Sequence, residues 1–232
     1  MLEKLKKLGR EITDLLFPIS CLICGKPNVY LCTPCSAKLP RQKQQCLSCQ
    51  KPSAFGKTHA NCLTKNTLDG FITSLPYSHP DIKKLIQVFK FDLVDSLAET
   101  LGNIMADEIE RQGLQDYFQE FVLLPVPLHP RRLNWRGFNQ AELLAQKISQ
   151  RFSTIIDQSL LRIKNTKPQA DLDRESRKTN IAGAFALAKE IAGKKFLLVD
   201  DVATTGATLS EIAKLLKSAH ASEVWAITVA HG

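Results

Sequence analysis

Two adjacent carboxylates, Asp200 and Asp201, follow directly on the apolar run Phe196-Leu-Leu-Val199. After Val202 come Ala203, Thr204, Thr205, Gly206, Ala207 and Thr208, and Thr208 to Ser218 has helical periodicity. A turn of small and hydroxylated residues opening a helix offers backbone N–H groups at the positive end of the helix dipole, a seat for a monophosphate. The threonine hydroxyls add donors, and Gly206 lets the backbone turn and approach closely. Carboxylates repel a phosphate but accept hydrogen bonds from two neighbouring hydroxyls. A diol at Asp200 and Asp201 with a phosphate at 203–208 describes a ribose 5-phosphate. A lone acidic pair would read as a strand end and helix cap. The ordered series of strand, Asp-Asp, Thr-Thr-Gly-x-Thr and helix favours a site.

A second chemistry sits at the other end of the chain. All the cysteines fall between Cys21 and Cys62. Cys21-x-x-Cys24 and Cys32-x-x-Cys35 supply four thiolates at the spacing of a tetrahedral structural Zn²⁺. Cys46-x-x-Cys49 and His59-x-x-Cys62 suit a second ion, with His59 standing where a fourth knuckle has its first ligand. Spacing leaves the pairing open, and joining the first knuckle to the third is also compatible. Ligand sets drawn wholly from the protein leave no open coordination position, so this module is expected to be structural or to bind a partner.

The net charge of +8 is concentrated in the same segment. Between Cys21 and Lys65 lie Lys26, Lys38, Arg41, Lys43, Lys51 and Lys57 and no Asp or Glu, whereas acid and base balance from Leu68 onward. A polyanion partner fits that distribution. Tyr30 and Phe55 are the only aromatics there, a sparse platform for stacking bases. No apolar run reaches the roughly 18 residues that a membrane span needs. The opening MLEKLKKLGR lacks the apolar core of a secretory signal, so a cytoplasmic protein is expected.

The positioning elements read as follows. Leu2, Leu5, Leu8, Ile12, Leu15 and Leu16 predict an amphipathic helix over 1–17, ended by Pro18. The cysteine-rich module spans 18–67 and has too few large apolar residues to fold without metal. From 68 to 232 the pattern predicts an α/β domain. Helices are expected over Pro80–Gln112, Asn139–Arg151 and Thr208–Ser218, and strands over Phe121–Leu128, Ser159–Ile163, Lys195–Val199 and Glu223–Ala230. Such alternation argues a mostly parallel sheet covered on both faces. Asn139 suits an N-cap, with Glu142 three residues later. Lys83, Lys84 and Lys90 read as a solvated helix face, and the polar stretch from Asn165 to Asn180 as a loop able to close over a ligand.

The segment Phe196 to Leu209 resembles the phosphoribosyl pyrophosphate motif of type I phosphoribosyltransferases. More narrowly, nearly the whole chain resembles the ComF family, through Pro125-Val-Pro-Leu-His-Pro-Arg-Arg132, Arg136-Gly-Phe-Asn-Gln-Ala-Glu142, Thr166-Lys-Pro-Gln169 with Arg177 and Asn180, and the cysteine-rich head. The resemblance implies a type I phosphoribosyltransferase fold behind a double zinc ribbon, and Mg²⁺ with phosphoribosyl pyrophosphate as the ligand. It implies diphosphate contacts at Leu128, His129 and Arg131, and a ligand-facing loop carrying Arg136, Gln169 and Arg177. It also implies a part in natural transformation, with single-stranded DNA and a DNA-uptake helicase as partners.

Overall fold

A computed structural model describes residues 19–91, 95–166 and 179–232 of the 232-residue chain. The expected N-terminal helix, and Gln169 and Arg177 of the expected loop, lie outside the described residues. The chain divides into two compact units between Leu39 and Pro40, inside the cysteine-rich segment 18–67.

The described residues of the first unit form a pair of cysteine knuckles. Cys21 N–H donates to Lys26 O at 2.7 Å and Gly25 N–H to Cys21 O at 2.9 Å, closing a tight turn in which Gly25 takes φ +76°. Helix α1 (Thr33–Lys38), opened by Pro34, follows Cys32 and carries Cys35.

The second unit opens on a repeat of that knuckle. Cys46 N–H donates to Lys51 O at 2.9 Å and Gln50 N–H to Cys46 O at 2.8 Å, with Gln50 at φ +59°. Two short 3-10 turns, Ala54–Gly56 and Ala60–Cys62, complete the ribbon. The chain then enters β1 (Gly70–Pro76), α2 (Pro80–Phe91), α3 (Asp95–Arg111), α4 (Gln115–Phe118), β2 (Phe121–Pro125), α5 (Pro130–Arg136) and α6 (Gln140–Phe152). After β3 (Leu160–Arg162) and β4 (Phe185–Leu187) come β5 (Lys195–Ala203), α7 (Ala207–Ser218) and β6 (Glu223–His231).

β1, β6, β5 and β2 lie side by side in that order, all parallel, and β3 and β4 form a separate antiparallel pair. Strand alternation sends Phe196, Leu198, Val224 and Ala226 to one face, where they pack with Leu209, Ile212, Ala213 and Leu216 of α7. Helices α3 and α6 pack on each other and on the sheet. Their buried stripes, Leu97-Leu101-Ile104-Met105 and Ala141-Leu144-Ala145-Ile148, have the period of a helix with one apolar face. Asn139 caps α6 as expected, accepting from Ala141 N–H at 3.2 Å. No helix among the described residues is long and apolar enough to cross a membrane.

The structure differs from the sequence reading at several edges. β5 continues through the acidic pair to Ala203. The expected strand over Phe121–Leu128 stops at Pro125, because Pro125 and Pro127 remove the N–H groups a longer ladder needs. β1, β4 and the short helix α5 were not expected.

Candidate functional site at the carboxyl end of the parallel sheet

In open α/β sheets ligands bind beyond the carboxyl ends of the strands. β2 and β5 stay in register only as far as Pro125 beside Val199, so β5 runs on past its neighbour with Asp200 the first residue beyond. On the other side β5 stays paired with β6 through Ala203 beside His231. The acidic pair is therefore held on one flank and open on the other.

Asp200, the first residue past the end of β2, is half-buried. Asp201 is 7% exposed, and its Oδ1 lies 3.3 Å from Lys90 Nζ at the end of α2. Lys90 is thus no part of a solvated face. Burial works against its charge, but Asp201 and Asp200 more than restore it, leaving its pKa above the ordinary lysine value. Asp200 has the reverse balance. Burial and the Asp201 charge push its carboxyl up to about 7, against the Asp201 N–H, Lys90 and Arg162.

The phosphate turn follows without a break. Gly206 takes φ +72° as the N-cap of α7, a conformation open to glycine. The backbone N–H groups of Thr205 and Gly206 have no hydrogen-bond partner among the described residues, and Thr204, Thr205 and Thr208 are half-buried. Ala203, Gly206 and Ala207 are buried.

Across from it, the turn Val126-Pro-Leu-His129 leaves β2. The backbone N–H groups of Leu128 and His129 also lack partners among the described residues. Arg131 is exposed, and its N–H caps α5 through His129 Nδ1 at 3.3 Å. Arg132 and Arg162 turn toward each other: Arg132 donates to Thr166 O at 2.7 Å and Arg162 to Thr166 Oγ1 at 2.6 Å. Burial, reinforced by Arg132, brings Arg162 down to about 10 against the pull of Asp200. Its Nε is buried with no acceptor among the described residues. Two crowded guanidinium groups of this kind suit an anion of high charge density. Arg136 donates to Gln140 Oε1 at 2.8 Å, and Gln140 Nε2 donates to Lys90 O at 3.2 Å, tying α5 and α6 to the lysine.

Sequence reasoning placed Asp200, Asp201, the turn 203–208, Leu128 and His129 at this end of the sheet. It passed over Lys90, Arg132 and Arg162. Lys90 had a visible signal: it stands four residues beyond Ile86 and continues the buried stripe Ile82-Leu85-Ile86-Phe89.

Both cysteine clusters close. The ligand atoms of Cys21, Cys24, Cys32 and Cys35 lie within 4.8 Å of one another, as do those of Cys46, Cys49, His59 and Cys62. The pairing left open by spacing is thus first knuckle with second and third with fourth. Ligands about 2.3 Å from a tetrahedral Zn²⁺ stand close to 4 Å apart. Cys24 and Cys32 Sγ are 3.6 Å apart, and Cys49 Sγ is 3.3 Å from His59 Nδ1. His59 Nε2 meets Pro52 O at 3.1 Å, which orients the ring and leaves Nδ1 for metal. Burial opposes ionisation of Cys21, but backbone N–H groups of Cys24, Cys32 and Ile23 outweigh it and hold the thiol near 6. Hydrogen bonds that the Cys35 thiol donates to Cys32 and Cys24, then burial, push Cys35 up to about 12. A dication resolves that conflict by letting all four ionise. The donors fit zinc.

A phosphoribosyl transferase domain family matches residues 139–232, and a double zinc ribbon domain family matches residues 12–63. The chain is 32% identical to the DNA utilization protein YhgH of Escherichia coli K12, over 92% of this chain and 98% of that one. It is 32% identical to competence protein F of Haemophilus influenzae, covering 90% and 95% of the two chains. Competence protein ComFC of Streptococcus pneumoniae matches at 26% identity over 93% and 94%.

Proposed function

This chain belongs to the ComF family, and on that premise we propose that it binds phosphoribosyl pyrophosphate with Mg²⁺ and transfers the phosphoribosyl group to an acceptor during the handling of DNA taken up in natural transformation. The observation that carries this reading is the single strand–turn–helix that presents an acidic pair and a phosphate seat opposite a pair of crowded guanidinium groups.

In this reading Asp200 and Asp201 accept from the ribose hydroxyls. Lys90 must yield Asp201 to the diol, so binding exchanges one charge-assisted hydrogen bond for another. Thr204 to Thr208 hold the 5′-phosphate. Leu128 and His129 N–H, with Arg131, Arg132 and Arg162, receive the diphosphate. Mg²⁺ carried by the diphosphate neutralises its charge and improves it as a leaving group. The anomeric C–O bond breaks as the acceptor's bond forms, and pyrophosphate keeps the electron pair. The protein's contribution is position and a fixed electrostatic field.

Calorimetry with Mg²⁺ and phosphoribosyl pyrophosphate tests the premise. Micromolar binding by the unmodified chain, lost in Asp200→Ala/Asp201→Ala, is expected; no binding by the unmodified chain removes the reading. Pyrophosphate release across a panel of bases and amines then separates a transferase from a sensor of the same ligand.

A second reading, as a single-stranded DNA binder, is favoured by one groove. Arg41, Lys43, Ser53, Phe55 and Arg111 line a cavity of about 440 Å³. Phe55 is 49% exposed at φ +56°, so an aromatic face stands beside three cations. Arg41→Glu/Lys43→Glu should weaken DNA binding and flatten its salt dependence, by about one counterion for each phosphate left without its cation. Relatives named DNA utilization protein and competence protein support this reading. A DNA-uptake helicase is the partner that reading calls for, testable by co-purification.

A further inference from the structure

The third ribbon knuckle is expected to be structural, yet it sits on the ligand site. Leu47 lies between the metal ligands Cys46 and Cys49 and is 9% exposed, packed in the same cluster as Ala203, Ala207 and Leu209. It roofs Gly206: a Cβ on that glycine would fall 2.8 Å from Leu47 Cδ2 and 2.9 Å from both Cδ1 and Cγ. Its neighbour Gln45 places Nε2 2.9 Å from His231 Nδ1. His231 pairs with Ala203 in the sheet, and Gly232 N–H donates to Ala203 O at 3.1 Å. Residues 45–47 therefore touch the phosphate turn directly through Leu47 and at one remove through His231.

We propose that Leu47 is a positioning residue for the phosphate turn, and that metal occupancy of the Cys46–Cys49–His59–Cys62 cluster is thereby coupled to binding of a phosphoribosyl ligand. The coupling rests on the function proposed above, because it needs the turn 203–208 to hold the 5′-phosphate. The physical route is short. The knuckle Cys46-Leu-Ser-Cys49 has a fixed shape while its two thiolates share an ion with His59 and Cys62. That shape sets where the Leu47 isobutyl group presses. Gly206 has no side chain to hold φ +72° by itself, so the packing against Leu47 confines it. Loss of the ion releases the knuckle, the roof, and the αL turn that aims the N–H groups of Thr205 and Gly206. Linkage makes the effect reciprocal: a ligand that tightens the turn must raise the affinity for the ion by the same free energy, and a tighter site is expected to release its ion more slowly.

The test uses the full chain loaded with zinc. Release of zinc to a chromogenic chelator is followed with and without saturating Mg²⁺ and phosphoribosyl pyrophosphate. One of two kinetic phases should slow at least several-fold with the ligand, and Cys62→Ser should lack that phase. Leu47→Ala should keep both zinc ions by elemental analysis and bind the ligand about tenfold more weakly, with Leu47→Met restoring most of the affinity. Zinc release indifferent to the ligand, together with unchanged affinity in Leu47→Ala, overturns the coupling while leaving the functional reading intact. If Leu47→Ala sheds its metal, the release kinetics of the unmodified chain still decide. Failure of the unmodified chain to bind the ligand removes the functional reading and the coupling with it.

Discussion

Lys90 extends the apolar stripe of α2, and its ammonium reaches a carboxylate that is almost fully buried. A buried pair is costly to break from one side, because the survivor keeps its charge without a partner. Lys90→Met should therefore lower stability by roughly 1–3 kcal/mol in urea unfolding. Lys90→Met/Asp201→Asn should recover much of that loss, and simple additivity of the two changes would show that the pair does not interact. Asp200 makes the opposite argument. Its carboxyl titrates near 7 in the folded chain against 3.8 when unfolded, so the folded state binds the proton more tightly. Its contribution to stability is full below the unfolded value and is lost as pH rises through about 7. Asp200→Asn escapes that loss. Its melting temperature should exceed that of the unmodified chain at pH 8 and approach it at pH 5, and a constant difference across that range would refute the assignment. Stability gained by removing a site carboxylate is the usual sign of a residue kept for binding.

At the scale of elements, β1 is an edge strand whose outer side is covered by chain that has no strand of its own. Gln44 Nε2 donates to Thr73 O at 2.9 Å, and Gln44 Oε1 accepts from Thr73 N–H at 3.1 Å, so one side chain imitates a neighbouring strand. The same Nε2 reaches Glu108 Oε1 of α3 at 2.7 Å, and Arg111 and Gln112 also donate to that carboxylate. Gln44→Ala leaves both Thr73 groups unpaired, and a cost of about 2–4 kcal/mol is expected. Amide exchange at Thr73 should accelerate far more than at Ile227, and equal changes at both would mean global loosening instead. Gly102 of α3 serves a different need: a Cβ there would lie 2.5 Å from Lys147 Cβ on α6, so Gly102→Val should force the two helices apart and lower the melting temperature by several degrees.

At the scale of the whole molecule, the two metal clusters fall in different compact units, divided between Leu39 and Pro40. Each should fill by itself. Elemental mass spectrometry should find about two zinc ions per chain, with Cys24→Ser and Cys62→Ser each losing one and keeping the other. Loss of both from either variant would show a single cooperative module. The sequence by itself determined the chemistry and its local frame. Ligand spacing fixed which residues could hold metal, the order of strand, carboxylates, hydroxylated turn and helix marked the candidate phosphate seat, and helical periodicity fixed the faces of α6 and α7. These are short-range properties, written within about ten residues of one another. Tertiary structure alone decided which knuckles share an ion, that Lys90 rather than water meets Asp201, that Arg132 and Arg162 converge, and that Leu47 presses on Gly206. Each of those joins residues distant along the chain, and a local pattern of residue types carries no record of the long-range packing that brings them together.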